Sequence, residues 1–455
     1  MKKILVINIE IKARELNSRI MIGYEALKRG YEVVIGAQSE MYEFLKYVPK
    51  AIFLDKSISR NKLNKLKKIK RLGHKIINLD EEGIASQNNK HFYLKQRMST
   101  ETLDLTDYFF TWGDDENNLI ESQFYEYKSK IKTTGNPRIE LWKPEYKELY
   151  KDEVIQISNQ YKDFIFITSN FALVQHARGE DFLKSQESAF SQVETQKDEE
   201  ILNSQKKYFT LMHTAFLKMI NVLAKSFPNR TIVIRPHPSD NIQIWKENTK
   251  EYQNVFIEYK YSATPWIIAS SCMIHSSCAT GIEGFLMNKP VFSFLPYKDN
   301  KFIEYISNTL SDICDTEQQL LDKISLVFQD NYDSYTGREA KKKEVKHILQ
   351  NVDTSGSSKI ILDYIEKIDA PSHAKLKNHR FITYYARDFL KKFVKKIIGK
   401  EIKADAYDQQ KMPGISIDEI YEKLNQFQKL DNQDDDKKFK LTKIHNKSIF
   451  IINYE

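Results

Sequence analysis

Short β-rich runs alternate with helical patterns along most of this chain, and that alternation restricts the fold more than any other feature. Ile4 to Ile9 is apolar almost throughout, a helical pattern passes through Ile20 to Leu27, and Tyr31 to Gly36 is the next β-rich run. Strand, helix and strand of these lengths predict a right-handed βαβ unit. Ala51–Leu54, Lys75–Leu79, Tyr108–Thr111 and Ile131–Thr133 continue the rhythm, so residues 1–150 are expected to form a first doubly wound domain. A second set opens with Phe164–Ile167, after the polar, helix-prone stretch Lys143–Lys162. A long helix over Ile201–Phe227 and strands at Thr231–Arg235, Val255–Glu258, Cys272–His275 and Pro290–Phe294 follow. Residues 151–370 are thus expected as a second Rossmann-like domain and 371–455 as an appended extension. In an α/β protein of this kind, ligands bind in the crevice outside the carboxyl ends of the strands. The polar stretch from Phe171 to Glu200 reads as a long insertion with the character of a lid.

Composition narrows the class. The 455 residues, 41% hydrophobic and 29% charged, are enough for two domains and an extension. Three irregularly spaced cysteines, Cys272, Cys278 and Cys314, make neither a disulfide framework nor a zinc site, which points to a reducing, cytoplasmic home. The basic start Met1-Lys2-Lys3 leads into an apolar run that breaks at Glu10, Lys12 and Arg14, so it reads as a first strand rather than a signal peptide. No window reaches the roughly 20 uncharged apolar residues of a membrane span. The net charge of +8 is matched by the segment from Pro371 to Lys403, where ten Lys or Arg face Asp388 and Glu401. The rest of the chain sums to zero, so an electrostatic partner is expected at that segment.

Three groups of residues could carry chemistry. Asp80-Glu81-Glu82-Gly83 directly follows a strand, which puts three carboxylates and a flexible glycine at a sheet edge. A carboxylate whose pKa is raised by a like-charged neighbour could take a proton from an acceptor hydroxyl; an acidic loop capping a helix is the alternative. Arg235-Pro236-His237-Pro238 ends another strand, and its prolines hold the imidazole on a rigid turn where it could stabilise a departing phosphate. His275-Ser276-Ser277-Cys278-Ala279-Thr280-Gly281 lies between a strand and a helix, and reads either as a phosphate cradle or as ordinary capping. The run Trp112-Gly113-Asp114-Asp115-Glu116 reads as a helix start in preference to a metal-binding acidic cluster.

In that order, Glu81-Glu82-Gly83, His237-Pro238 and Ser276-Ser277 resemble the acid-acid-Gly, His-Pro and Ser-Ser/Thr motifs of bacterial sialyltransferases and Kdo transferases that use CMP-activated sugars. Thr134-Gly135-Asn136-Pro137-Arg138, Thr168-Ser169-Asn170-Phe171 and Ile274 to Pro290 resemble the surface carbohydrate biosynthesis proteins, over roughly residues 1 to 370. The resemblance implies a GT-B fold, two Rossmann-like domains facing a cleft, and no required metal or cofactor; the CMP-sugar is a substrate. It also implies Glu81 or Glu82 as base and His237, with Ser276 and Ser277, on the donor phosphate. Arg235, Pro238, Thr280, Glu283 and Asn170 are the further donor-side residues, Glu283 toward a ribose hydroxyl, with a solvated helix position as its alternative. Asp80, Gly83, Asn136 and Arg138 are read as acceptor-side, with a structural turn and a surface salt bridge as the alternative for the last two.

Phe381, Tyr385, Phe389, Phe393 and Ile397 recur every four positions among lysines, a basic amphipathic helix. Such a helix over 377–400 either lies on an anionic inner-membrane surface or packs its aromatic face on the core. The expected partners are a nucleotide sugar and a lipid-linked or growing glycan acceptor. Nucleic acid is not expected, since no binding motif or stacking platform is present. The leading function is transfer of a nonulosonic acid, such as a sialic, legionaminic or pseudaminic acid, or of Kdo, to capsule or lipopolysaccharide. Alternatives are a CDP-glycerol or CDP-ribitol polyol-phosphate transferase with His275 as a second histidine, a UDP- or GDP-sugar enzyme, and an inactive glycan-binding scaffold.

Overall fold

The computed structural model describes the chain except for residues 1, 84–93, 95–96, 180–195, 304, 374–375, 377–380, 398–408, 410, 432–437, 445–447 and 455, and the side chains at 197–198, 388 and 391–397. The chain forms two compact units. The first comprises Met1–Ser86, His91–Leu141 and His347–Glu455; the second spans Trp142–Lys346.

Unit 1 is built on β1 (Ile4–Ile9), β2 (Glu32–Ala37), β3 (Ile52–Asp55), β4 (Lys75–Leu79), β5 (Tyr108–Thr111) and β6 (Ile131–Thr133). These pair in parallel, in the order β2-β1-β3-β4-β5-β6. All six residues of β1 are buried, as expected of a parallel strand covered on both faces. Unit 2 carries β7 (Ile165–Thr168), β8 (Ile232–Arg235), β9 (Val255–Ile257), β10 (Cys272–His275), β11 (Val291–Phe294) and β12 (Asp312–Cys314). All are parallel, in the order β12-β11-β10-β7-β8-β9. The order reverses between β7 and β10, the point where open α/β sheets bind ligands.

The divisions fall at 141/142 and 346/347 rather than at 150 and 370. Contacts distant in sequence draw the later residues into unit 1. Glu140 Oε1 accepts from Gly356 N at 2.8 Å and Asn351 Nδ2 at 3.0 Å, and it also bonds Ser357 N. Tyr364 of the helix Ser357–Glu366 packs on Tyr108, ring centroids 5.5 Å apart.

The extension adds β13 (Phe439–Lys443) and β14 (Ile449–Tyr454), a hairpin whose second strand pairs antiparallel with β2 through Ile451 and Val34. Gly36 permits this, since a Cβ there would stand 2.4 Å from the Ser448 carbonyl oxygen. The helix Ile382–Ile397 starts beside Phe381 and Tyr384, both buried against Phe44. Most of the stretch read as a lid, 180–195, lies outside the described residues; the helix after it runs Gln196–Ser226. Among the described residues, no helix is long and apolar enough to cross a membrane.

Candidate functional site

In unit 1 the acidic turn follows β4 directly and is clamped by arginines. Glu81 has a fully buried side chain with both oxygens engaged: Arg19 Nη2 donates to Oε1 at 2.8 Å and Arg138 Nη1 to Oε2 at 3.0 Å. Asp80 is likewise buried. Arg97 binds its two oxygens, Nε to Oδ2 at 2.9 Å and Nη2 to Oδ1 at 2.5 Å, and Glu82 N donates to Oδ1 at 2.7 Å. Glu82 alone of the three keeps substantial exposure, 43% of its side chain, with Arg14 Nη1 on Oε1 at 2.6 Å.

The electrostatics reverse the expectation drawn from neighbouring acids. Burial raises the Glu82 pKa, but Arg14, Arg97 and Lys56 outweigh it and lower the pKa to about 2. Glu82 is therefore a persistent carboxylate, suited to accepting a hydrogen bond from a hydroxyl and to balancing positive charge. Gly83 serves close packing: a Cβ would lie 2.3 Å from Trp112 Cδ1 and 2.7 Å from Glu116 Oε2. Glu116 in turn accepts from Trp112 N at 2.8 Å, which closes the start of the helix Asp114–Gln123. Asn136 is buried and its Oδ1 accepts from Arg138 N at 2.9 Å, a turn that aims Arg138 at Glu81. The Arg138 ion pair is buried, where a surface bridge was the alternative reading.

In unit 2, β8 leads into a tight turn in which Asp240 N donates to His237 O at 2.8 Å, with Pro238 in the position that favours its fixed φ. Ser239 N donates to His237 Nδ1 at 3.2 Å, so the neutral ring carries its proton on Nε2. Ser169, just past β7, takes His237 N at 3.0 Å on its Oγ and donates to Asp240 Oδ2 at 2.5 Å. Asp240 also accepts from Phe171 N at 3.2 Å. Burial pushes its carboxyl up to about 7. Asn170 stands half-buried beside Ser169.

Thr168, at the end of β7, shares a hydrogen bond of 2.8 Å with Thr280, which opens the helix Thr280–Leu286; together they mark the switch point. Ser276 is buried after β10, whereas Ser277 is held at φ +50 and accepts from Asn308 Nδ2 at 2.9 Å. A serine in left-handed backbone costs on the order of 1 kcal/mol and commonly marks a working site. Arg235 is buried, with Nη2 on Tyr261 O at 2.8 Å and its guanidinium 5.2 Å from the centre of the Tyr259 ring. Glu283 takes the hydroxyl of Thr264 on Oε1.

His275 has a different character. Its ring is fully buried, Nδ1 accepts from Cys278 N at 3.2 Å, and Nε2 lies 2.8 Å from Ser311 Oγ. Ser311 donates its own proton to Ser307 O at 2.6 Å, so Nε2 is the donor and both ring nitrogens are used. Burial lowers the ring's pKa to about 3, which keeps it neutral. It is a packing histidine under Gly281, where a Cβ would meet Nε2 at 2.4 Å.

Ser169 and Asp240 were not singled out from the sequence as site residues. The three-residue step from His237 across a proline was the available signal for Asp240.

Known structures share this architecture. A UDP-GlcNAc 2-epimerase from Neisseria meningitidis, solved bound to UDP-GlcNAc, aligns over 81% of this chain and 100% of its own, with TM-score 0.50 and 14% identity. The wall teichoic acid polymerase TagF, soaked with CDPG, aligns over 80% of this chain and 88% of its own, with TM-score 0.50 and 13% identity. The fold is GT-B, two Rossmann-like units in one chain. No protein-family model and no curated protein matches the chain.

Proposed function

We propose that the chain is a cytoplasmic glycosyltransferase that moves a nonulosonic acid or Kdo-like sugar from a CMP-activated donor to a surface glycan of the capsule or lipopolysaccharide kind. The observation that carries this reading is the His237 turn, whose Nδ1 is tied to Ser239 N and whose backbone is fixed through Ser169. A ring so held offers Nε2–H to the phosphate oxygen that gains charge as the sugar–phosphate bond breaks. Ser276, Ser277, Thr280 and Arg235, at or just beyond the carboxyl ends of neighbouring strands, supply further donors to that phosphate. The acceptor oxygen, its hydroxyl oriented by a hydrogen bond to the Glu82 carboxylate, forms the new glycosidic bond and its proton passes to water as CMP leaves with the bonding electron pair. Glu81, clamped by two arginines, holds the turn in shape. No metal is needed in this scheme.

A cytidine diphosphate polyol donor is the second reading, favoured by the likeness to TagF, whose solved form was soaked with CDPG. Two catalytic histidines would be expected there, and His275 is sealed with both nitrogens bonded, so this reading needs another residue for the second role. Calorimetric titration with CMP, CDP and UDP, on the wild type and His237→Ala, tests the proposal. CMP is expected to bind best and to lose about 10-fold or more in affinity on substitution, the worth of a hydrogen bond to a charged group. Preference for CDP or UDP, or an unchanged CMP affinity in His237→Ala, would overturn it.

A further inference from the structure

One face of unit 1 carries cations and exposed apolar side chains together. Three helical segments cover the same side of its sheet, because Phe44, Leu45, Leu66, Ile69, Phe381 and Tyr384 enter one buried cluster with Val6, Phe53 and Ile76. The helix Gln38–Phe44 and the turn Leu45–Tyr47 lie in the middle. On one side runs the helix Leu63–Arg71, where the Lys65 ammonium stands 4.9 Å from the centre of the Tyr42 ring. On the other runs the helix Ile382–Ile397, with Tyr47 and Tyr384 rings 5.1 Å apart and Arg387 at 3.8 Å from Glu43.

The charge of this face is lopsided. From Arg60 to Lys75 there are eight Lys or Arg and no acid. Asp107 engages Lys70 and Lys75, and Asp55 engages Lys62. Lys65, Lys67, Lys68 and Arg71 are exposed, with no ion pair among the described residues. Glu43 is shared between Lys46 and Arg387, and the exposed Glu101 and Asp104 of the helix Thr100–Leu105 bound the face beyond Leu63–Arg71. Apolar side chains stand in the open beside these cations: Leu72 is 40% exposed, Ile382 61% and Leu390 58%. A solvated helix has no use for such residues, whereas a bilayer interface offers headgroup phosphates to the lysines and an acyl phase to the apolar tips. Nucleic acid would meet the cations but offers nothing to Ile382 and Leu390. The sequence of the second helix runs on with Lys391, Lys392, Lys395 and Lys396.

We propose that the face formed by Leu63–Arg71 and Ile382–Ile397 is a docking surface for an anionic lipid bilayer. Flotation of the full chain with vesicles tests it, using phosphatidylcholine alone and an equal mixture with phosphatidylglycerol. The chain is expected to float with the mixed vesicles and not with the neutral ones. The triple variant Lys65→Glu/Lys67→Glu/Lys68→Glu should lower partitioning on the order of 100-fold. Ile382→Ser/Leu390→Ser, with all charges kept, should make the remaining binding release at lower salt. These positions are exposed, so circular dichroism of each variant is expected to match the wild type. Equal flotation with neutral vesicles, charge-reversed variants that float like the wild type, or tighter retention of a DNA duplex than of mixed vesicles would each overturn the assignment.

Discussion

Replacing Arg19 by methionine would leave the Glu81 carboxylate in the interior of unit 1 with half its countercharge. Both side chains are fully buried, at 2.8 Å, and the remaining partner Arg138 holds the other oxygen at 3.0 Å. Breaking a buried pair from one side costs about 3 to 5 kcal/mol, and the surviving Arg138 contact puts the expectation near the lower figure. Arg19 is itself expensive to bury, since its Nε and Nη1 find no hydrogen-bond partner among the described residues. Removing both charges in Arg19→Met/Glu81→Met should therefore restore most of the loss, with a coupling energy of about 2 kcal/mol or more. Hydrogen exchange of the peptide spanning β4, followed by mass spectrometry, reads this locally. Exchange should quicken on the order of 100-fold in Arg19→Met and return most of the way in the double variant. Additive losses in the two single variants, or a change under about 1 kcal/mol in Arg19→Met, would refute the clamp.

The other predictions rest on single contacts. Gly281→Ala drives a methyl into the sealed His275 ring and should lower stability by about 1 to 3 kcal/mol, read as a fall in melting temperature; an unchanged melting temperature would show that the ring is free to move. Because burial raises Asp240 to about 7, the folded state keeps a proton that the unfolded chain releases above about pH 4. The stability of unit 2 should thus fall as pH rises between those values, by at most on the order of 4 kcal/mol, and Asp240→Asn should flatten that slope in urea titrations. Parallel slopes would contradict it. Glu82→Gln should reduce turnover by on the order of 100-fold or more while leaving CMP affinity unchanged; a matching loss of nucleotide affinity would remove Glu82 from the acceptor role.

The interior strands were readable because parallel strands covered on both faces are written as largely apolar runs: β4, β5 and β10 begin and end where Lys75–Leu79, Tyr108–Thr111 and Cys272–His275 suggested. Edge strands lack that signature. β12 is three residues long with Ile313 44% exposed, and β13 mixes two lysines and a threonine with Phe439 and Leu441, so neither stood out. The boundary near 346 depends on Glu140 meeting residues more than two hundred positions away, which no local pattern encodes. At the candidate site, residue types and strand ends were visible but partners were not. Arg14 lies 68 positions from Glu82 and Ser169 lies 71 from Asp240, and these contacts set the charge state of one acid and the rigidity of the histidine turn. His275 was a candidate only as the second histidine of the polyol-phosphate alternative, and its burial with both nitrogens bonded was not visible in the sequence. The basic run from Arg60 to Lys75 was hidden by a net-charge sum that acids elsewhere cancel.

Release of nucleotide from intact donors distinguishes a CMP-sugar transferase from the other readings. The purified chain would be given a CMP-activated nonulosonic acid, CMP-Kdo, CDP-glycerol and UDP-GlcNAc in parallel, with and without a glycan acceptor, and the freed nucleotide measured against Glu82→Gln and His237→Ala controls. Acceptor-dependent CMP release from a CMP-sugar, lost in both variants, is the expected result. Turnover of CDP-glycerol or UDP-GlcNAc alone, or CMP release that survives in His237→Ala, would contradict it.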